Sequence, residues 1–387
     1  MMDIKAKDDK YVANTYRRFP LTLVSGKGSE FRDDKGKTYI DMGSGIGVTC
    51  FGAGDEEWKK AVTAQLDKIQ HTSNLYYSEP CANLAELLCN KTGFKKVFFS
   101  NSGAEANECG IKVARKYAAE TKGSEYNTVI TLKNSFHGRT ITTLAATGQD
   151  VFHELFQPLT PGFIHVEANN ISDLEQALKT YKAACVIVEC VQGEGGVIPL
   201  EENYLKQVRQ ITADQDVLLM VDEVQTGNGR TGKLYSYMHY GITPDIVSTA
   251  KGLGGGLPLG ATLRGEKVKD TFTPGDHGST FGGNPIACAG AYSILSRLTD
   301  EFLNQVDAKA KLFTDSLKDC PGIEAISGKG LMLGIKTTKP AGEVVNNCLE
   351  QGVMFLTAKE KVRALPALNI PDELLLKAAQ ILKESLK

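Results

Sequence analysis

From about residue 60 to Lys251 the chain repeats one pattern: an apolar run of strand length, a polar or glycine-rich stretch, and a helical stretch nearby. The runs are VFF, TVITL, CVIVEC, VLLMVD and DIVSTA; the helical stretches include EANECGIKVARKYAAE, ISDLEQALKTY and NYLKQVRQITAD. Strands that are apolar throughout are covered on both faces, and strands joined through helices run parallel. The pattern predicts an α/β fold, with a mainly parallel central sheet and helices on both of its faces. Residues 28–50 (GSEFRDD, KG, KTYIDMG) predict short strands around a turn. After about residue 285 a long helical stretch runs to about 318. The remainder mixes strands (IEAIS, LMLGIKT, VMFLT, VRALP) with two helices. This predicts a smaller α+β unit, which the N-terminal strands join because they lack partners of their own. A chain of 387 residues exceeds one ordinary core. The expected division is residues 1–60 as an N-terminal segment packing with the small domain, 61–291 as the large domain and 292–387 as the small domain.

Composition narrows the partners. The formal net charge is -2, and Lys and Arg are spread along the chain, so neither nucleic acid nor an anionic membrane is expected as partner. The basic opening MMDIKAKDDK is followed by no apolar segment, and no apolar run approaches the ~20 residues of a membrane helix. Nine cysteines without a C-x-x-C pair predict free thiols in a reducing cytoplasm. Six scattered histidines give no support to a metal site.

In a parallel sheet, ligands collect at the carboxyl ends of the strands. Four such ends stand out. Ser100–Glu105 (SNSGAE) combines small residues with a helix start, which suits a phosphate or is a plain helix cap by Ser102. Asp222 closes the run VLLMVD; a buried carboxylate there needs a partner, whether a protonated pyridine nitrogen, an arginine or a metal. Lys251 closes DIVSTA and precedes GLGGGLP. It is either a solvated lysine or an amine open to a carbonyl, its pKa lowered by desolvation or nearby positive charge. Phe136-His137-Gly138-Arg139 offers an aromatic to stack on a ring and an arginine to bind a carboxylate, or else a core Phe and a surface Arg.

Two nucleotide motifs are excluded. GLGGGLP runs into Pro258 instead of a helix, and GNGRTGKL places Leu234 where a P-loop needs a hydroxyl. No G-x-S-x-G nucleophile elbow occurs.

The motifs NSGAEANE (101–108), SFHGRT (135–140), ECVQGEGGV (189–197), DEVQTGNGRTG (222–232), STAKGLGGGLPLG (248–260) and HGSTFGGNP (277–285) together resemble the class III aminotransferases, in order and over nearly the whole chain. Within the class, HTSNLY (71–76) and GSGIGV (43–48) resemble the acetylornithine subgroup of arginine biosynthesis. The segment FGAGDEEW (51–58) departs from the G-H-x-H-P-like pattern usual there, which puts the local loop structure in doubt.

The resemblance implies a fold-type I transferase that uses pyridoxal 5'-phosphate, a cytoplasmic homodimer with active sites at the subunit interface. It implies that Lys251 carries the cofactor as a Schiff base and then moves the proton, and that Asp222 keeps the pyridine nitrogen protonated. Phe136 and Val224 would cover the two ring faces and Gln225 would approach the phenolic oxygen. Ser102, Gly103 and Ala104 would bind phosphate, with Thr280 from the neighbouring subunit. Arg139 and Arg363 would bind substrate carboxylates, with Ile46 and Ser279 on the substrate side. Glu194 would neutralise Arg363 for the amino donor and swing away for the diacid 2-oxoglutarate. The implied reaction converts N2-acetyl-L-ornithine and 2-oxoglutarate to N-acetyl-L-glutamate 5-semialdehyde and L-glutamate; the aliphatic Ile46 fits an acylated donor. Ornithine, succinylornithine, succinyldiaminopimelate or 4-aminobutyrate as donor, an aminomutase, and a non-catalytic cofactor-binding protein are the alternatives.

Overall fold

The computed structural model describes residues 3–387. At its centre lies a seven-stranded sheet, in the order Lys96–Ser100, Gly260–Arg264, Ile246–Thr249, Leu218–Asp222, Ala183–Val188, Thr128–Leu132, Phe163–Val166. Gly260–Arg264 runs antiparallel to both neighbours, and every other pairing is parallel. Six strands therefore end on one edge of the sheet. Side chains alternate between two cores with the two-residue period of a strand. Val186, Val188, Leu219 and Val221 face one cluster, while Cys185, Ile187, Leu218 and Met220 face another. Helix Gly103–Thr121 covers the second face with Ile111, Val113 and Ala114, and Glu79–Thr92 and Glu202–Asp214 cover the first with Leu84, Leu88, Leu205 and Val208. Each fully buried Val, Leu or Ile among these contributes about 1.5–3 kcal/mol.

Two further four-stranded sheets and a two-stranded ribbon, Val191–Gln192 with Ile198–Pro199, complete the fold. One sheet joins Leu23–Lys27, Glu30–Asp33 and Thr38–Asp41 to Val353–Met354, so the N-terminal strands pair with the C-terminal part of the chain. The other is antiparallel: Ile323–Lys329, Met332–Thr337, Lys361–Ala364, Leu356–Ala358. They share a core that includes Met42, Phe313, Ile335, Phe355 and Leu382. The helical stretch after residue 285 is two helices, Pro285–Arg297 and Asp300–Leu317. The break falls at Thr299, whose extended backbone and side chain, accepting from Phe302 N, start the second helix afresh.

The atypical 51–58 segment forms a tight corner. Gly52 has φ +81°, and a Cβ there would lie 2.5 Å from the Gly28 carbonyl oxygen. Asp55 caps helix Glu56–Leu66 and pairs with Arg297 at 2.7 Å. Trp58 then donates its indole N–H to Gly254 O at 3.1 Å, bracing the glycine loop that follows Lys251.

All nine cysteines are free thiols. Among the described residues no helix is long and apolar enough to cross a membrane, and no group of three or more His, Cys, Asp and Glu could hold a metal ion.

Candidate active site

The common edge of the sheet opens into a cavity of about 440 Å³, lined from four strand ends by Ser102–Ala104, Phe136–Arg139, Asp222 with Val224 and Gln225, and Lys251.

The anion cradle comes from the strand Lys96–Ser100 and the helix after it. Ser102 caps Gly103–Thr121, its side chain accepting from Glu105 N. Ser102, Gly103 and Ala104 line the cavity, and the first turn of a helix leaves N–H groups without intrahelical partners. The floor has no room for side chains. A Cβ on Gly103 would lie 2.6 Å from Val224 Cγ1, and one on Gly138 (φ +145°) would lie 2.8 Å from Ala104 Cβ.

Asp222 is buried and well supported. Its Oδ2 accepts from Asn107 Nδ2 and His137 Nδ1, each at 2.8 Å, and its Oδ1 accepts from Val224 N at 2.9 Å. A carboxylate offers about four acceptor positions, so one remains for a further N–H donor. His137 is buried, which opposes its charged form, but the hydrogen bond and charge of Asp222 outweigh this and raise its pKa. Behind it, Glu189 is driven up to about 7 by burial; the His137 charge opposes the rise, as do hydrogen bonds from Phe136 N and Gly193 N. Near neutrality it places only a partial second negative charge beside Asp222. Asn107, His137 and Glu189 were not assigned roles from the sequence, although each lies inside a motif that carries the resemblance.

Lys251 starts a 3₁₀ turn, Lys251–Leu253, with φ +45°. A left-handed backbone at a non-glycine residue costs about 1–3 kcal/mol and persists where the surroundings dictate it. Burial lowers the ammonium pKa and Arg363 lowers it further, while the charges of Glu194 and Asp222 oppose the shift. The neutral amine is thus more available than in an ordinary lysine.

Next to this cavity lies a charge pair. Arg363, buried on the strand Lys361–Ala364, donates to Glu194 Oε1 at 2.6 Å and to Gln225 Oε1 at 3.2 Å. Gln225 Nε2 donates to the same Glu194 oxygen at 3.2 Å. Burial pushes the Glu194 carboxyl up, but Arg363 and Lys251 hold it below its usual value. The GNGRTG loop anchors this corner: buried Arg230 donates to Leu331 O at 3.1 Å and Pro366 O at 2.5 Å, three residues past Arg363.

Of the remaining expected residues, only Arg139 borders this cavity in the single chain. Arg139 is exposed at the cavity rim. Ile46 (φ +65°, 44% exposed) lines a neighbouring pocket with Arg18 and Leu356. Ser279 accepts from Asn101 Nδ2 at 3.2 Å, and Thr280 is exposed outside the cavity. Thr280 shares a surface groove with Ser73, Asn74 and Ser78; the chain between these residues carries the exposed side chains of Leu75, Tyr76 and Tyr77, and Phe281 next to Thr280 is exposed too. Asn74 ties the two segments together by donating to Ser279 O and Gly282 O.

A phosphate cradle of small residues at a helix start, an acceptor with a free position and a desolvated amine on one sheet edge fit pyridoxal phosphate. They meet its phosphate, its ring N–H and its aldehyde in turn.

Comparison with known proteins agrees. The profile of the family described as aminotransferase class-III matches residues 11–386. The acetylornithine aminotransferase of Haemophilus ducreyi is 49% identical over 99% of this chain and 98% of its own. That of Caldanaerobacter subterraneus subsp. tengcongensis is 44% identical over 98% of both. Among solved structures, an ornithine aminotransferase from Toxoplasma gondii, described with partial occupancy of PLP at its active site, superposes with TM-score 0.94 at 32% identity, covering 99% of this chain and 93% of that one. The N-acetylornithine aminotransferase of Stenotrophomonas maltophilia superposes with TM-score 0.84 at 34% identity, covering 98% and 97%.

Proposed function

The chain belongs to the class-III aminotransferases, and we infer that it moves the ω-amino group of N2-acetyl-L-ornithine to 2-oxoglutarate. The products are N-acetyl-L-glutamate 5-semialdehyde and L-glutamate, a step of arginine biosynthesis. The observation that carries the donor reading is the Glu194–Arg363 pair beside Lys251. One guanidinium, Arg139, stands open to a carboxylate; the other is masked until a second carboxylate displaces Glu194. That arrangement suits a donor with one carboxylate and an acceptor with two. The acetylornithine aminotransferases above, at 44–49% identity, support the same donor.

Bound pyridoxal phosphate supplies an aldehyde that exchanges amines and a protonated ring that takes up electron density. The chain does the rest. Ser102, Gly103 and Ala104 hold the phosphate by backbone N–H groups. Asp222, oriented by Asn107 and His137, accepts the ring N–H. Phe136, Val224 and Gln225 line the cavity, where Phe136 and Val224 would pack on the ring and Gln225 would meet its phenolic oxygen. Lys251 Nζ anchors the cofactor, then takes and returns the proton that moves during transfer. Its lowered pKa keeps the proton-free amine accessible.

The same reading makes the enzyme a cytoplasmic homodimer in which Thr280 completes the phosphate site of the other subunit. The exposed patch of Leu75, Tyr76, Tyr77 and Phe281 beside Thr280 supports this. Sedimentation equilibrium tests it, and a fully active monomer would overturn it; cell fractionation tests the compartment. The donor is tested by mixing the pyridoxal form with acetylornithine, ornithine, succinylornithine, succinyldiaminopimelate and 4-aminobutyrate, and following conversion to the pyridoxamine form. Acetylornithine should react with the highest kcat/KM. A faster reaction with free ornithine would overturn the assignment, and turnover without 2-oxoglutarate would indicate an aminomutase.

A further inference from the structure

We propose that Phe152 is a positioning residue that holds the Arg139 guanidinium over the cavity, ready for the donor carboxylate. The inference rests on the reading of Arg139 as the carboxylate anchor. Arg139 CZ lies 4.1 Å from the Phe152 ring centroid and 5.3 Å from that of Phe136. The two rings meet edge to face, 5.9 Å apart at 78°. A cation this close to a ring is attracted by its quadrupole, and the Phe152 contact is the shorter.

The placement of Phe152 is built into the fold. It ends a short 3₁₀ turn, Asp150–Phe152, fastened at both ends. Before it, Asn134 N donates to Gly148 O at 2.7 Å, Gly148 N donates to Ser135 Oγ at 3.0 Å and Gln149 Nε2 donates to Ser135 O at 3.0 Å. These bonds hang the turn on the loop that carries Phe136. After it, the His153 ring nitrogen Nε2 meets Leu144 O at 2.9 Å. The nearby apolar side chains point elsewhere: Val151 is 70% and Leu155 89% exposed, while Phe152 is half-buried against the arginine.

A free arginine has many rotamers, and ordering it on binding opposes affinity. A stack that orders the planar fork beforehand removes part of that loss. The effect acts on the carboxylate, so it separates donors with a carboxylate from donors without one. The test compares acetylornithine with N-acetylputrescine, which has the same ω-amine and acetyl group but no carboxylate. In the holoenzyme, Phe152→Leu should lower the ratio of their kcat/KM values roughly two- to five-fold, the range of a cation–π contact at an exposed arginine, mainly through KM for acetylornithine. Phe152→Tyr should restore it. Equal losses on both donors, with the ratio unchanged, would reduce Phe152 to packing and overturn the proposal. Arg139→Lys is run alongside: if it too leaves the ratio unchanged, the carboxylate reading of Arg139 fails and the stack with it.

Discussion

Replacing Glu194 by Gln removes one charge from the site and almost no volume. Arg363 is buried and Glu194 is 31% exposed, and they meet at 2.6 Å. Hydrogen bonds to charged groups contribute about 1.5–3 kcal/mol net. The exposure of Glu194 lets water compete, so the lower part of that range, about 1.5–2 kcal/mol, applies. A diacid that binds Arg363 must first break this pair. Gln still offers Arg363 an amide oxygen, and a neutral hydrogen bond contributes about 0.5–1.5 kcal/mol, so about 1 kcal/mol of that cost disappears and KM for 2-oxoglutarate should fall roughly 5-fold at about 1.4 kcal/mol per decade. The acetylornithine half-reaction should move the other way, because an unmasked Arg363 misplaces a second cation beside the donor. Stopped-flow measurement of the two half-reactions separates these effects. If the ratio of the two specificity constants stays at its starting value, the charge switch is wrong and Glu194 is only a structural partner of Arg363.

Three other outcomes follow from the same geometry. Lys251→Ala should still bind pyridoxal phosphate through the cradle and Asp222 but lose turnover; near-normal steady-state activity would remove the lysine from the mechanism. Gly103→Ala should press a methyl group against Val224 Cγ1, 2.6 Å away. Overpacking costs about 1–3 kcal/mol, so the cofactor Kd should rise roughly 5- to 150-fold in a spectrophotometric titration. Burial lowers the Lys251 pKa, so capture of pyridoxal phosphate by the apoenzyme should speed up with rising pH with a midpoint below the ~10.4 of an ordinary lysine. Glu194 opposes that lowering and Arg363 assists it; the midpoint should therefore drop further in Glu194→Gln and rise in Arg363→Met. Midpoints that do not move apart would show that burial alone tunes the amine.

The sequence exposes the parts of the site that repeat a rule. Ser102, Asp222 and Lys251 each follow a strand-length apolar run, and a parallel sheet must bring such positions to one edge. Gly260–Arg264 was not read as a strand, because LPLGATLRG continues a glycine-rich loop and its pairing with Lys96–Ser100 spans more than 150 residues. The support of Asp222 was hidden for the same reason. Asn107 and His137 lie 115 and 85 residues away in sequence, and no local periodicity links a buried histidine to a distant carboxylate. Thr280 and Ile46 show a different limit: neither lines the Lys251 cavity of the single chain, so only family resemblance pointed to them. The segment 51–58 lacks the family's His and Pro, yet it holds the glycine loop through Trp58.

Trp58 is the only tryptophan in the chain. Its indole donates to Gly254, three residues beyond Lys251, and lies beside Gly256, which lines the cofactor cavity. All tryptophan emission from this protein therefore arises beside the chromophore whose absorption changes during turnover. Energy transfer to that chromophore should dim the emission when the apoenzyme is loaded and brighten or dim it again as the bound form changes. Stopped-flow tryptophan fluorescence should therefore report cofactor loading without a label, and emission unchanged on loading would refute the transfer.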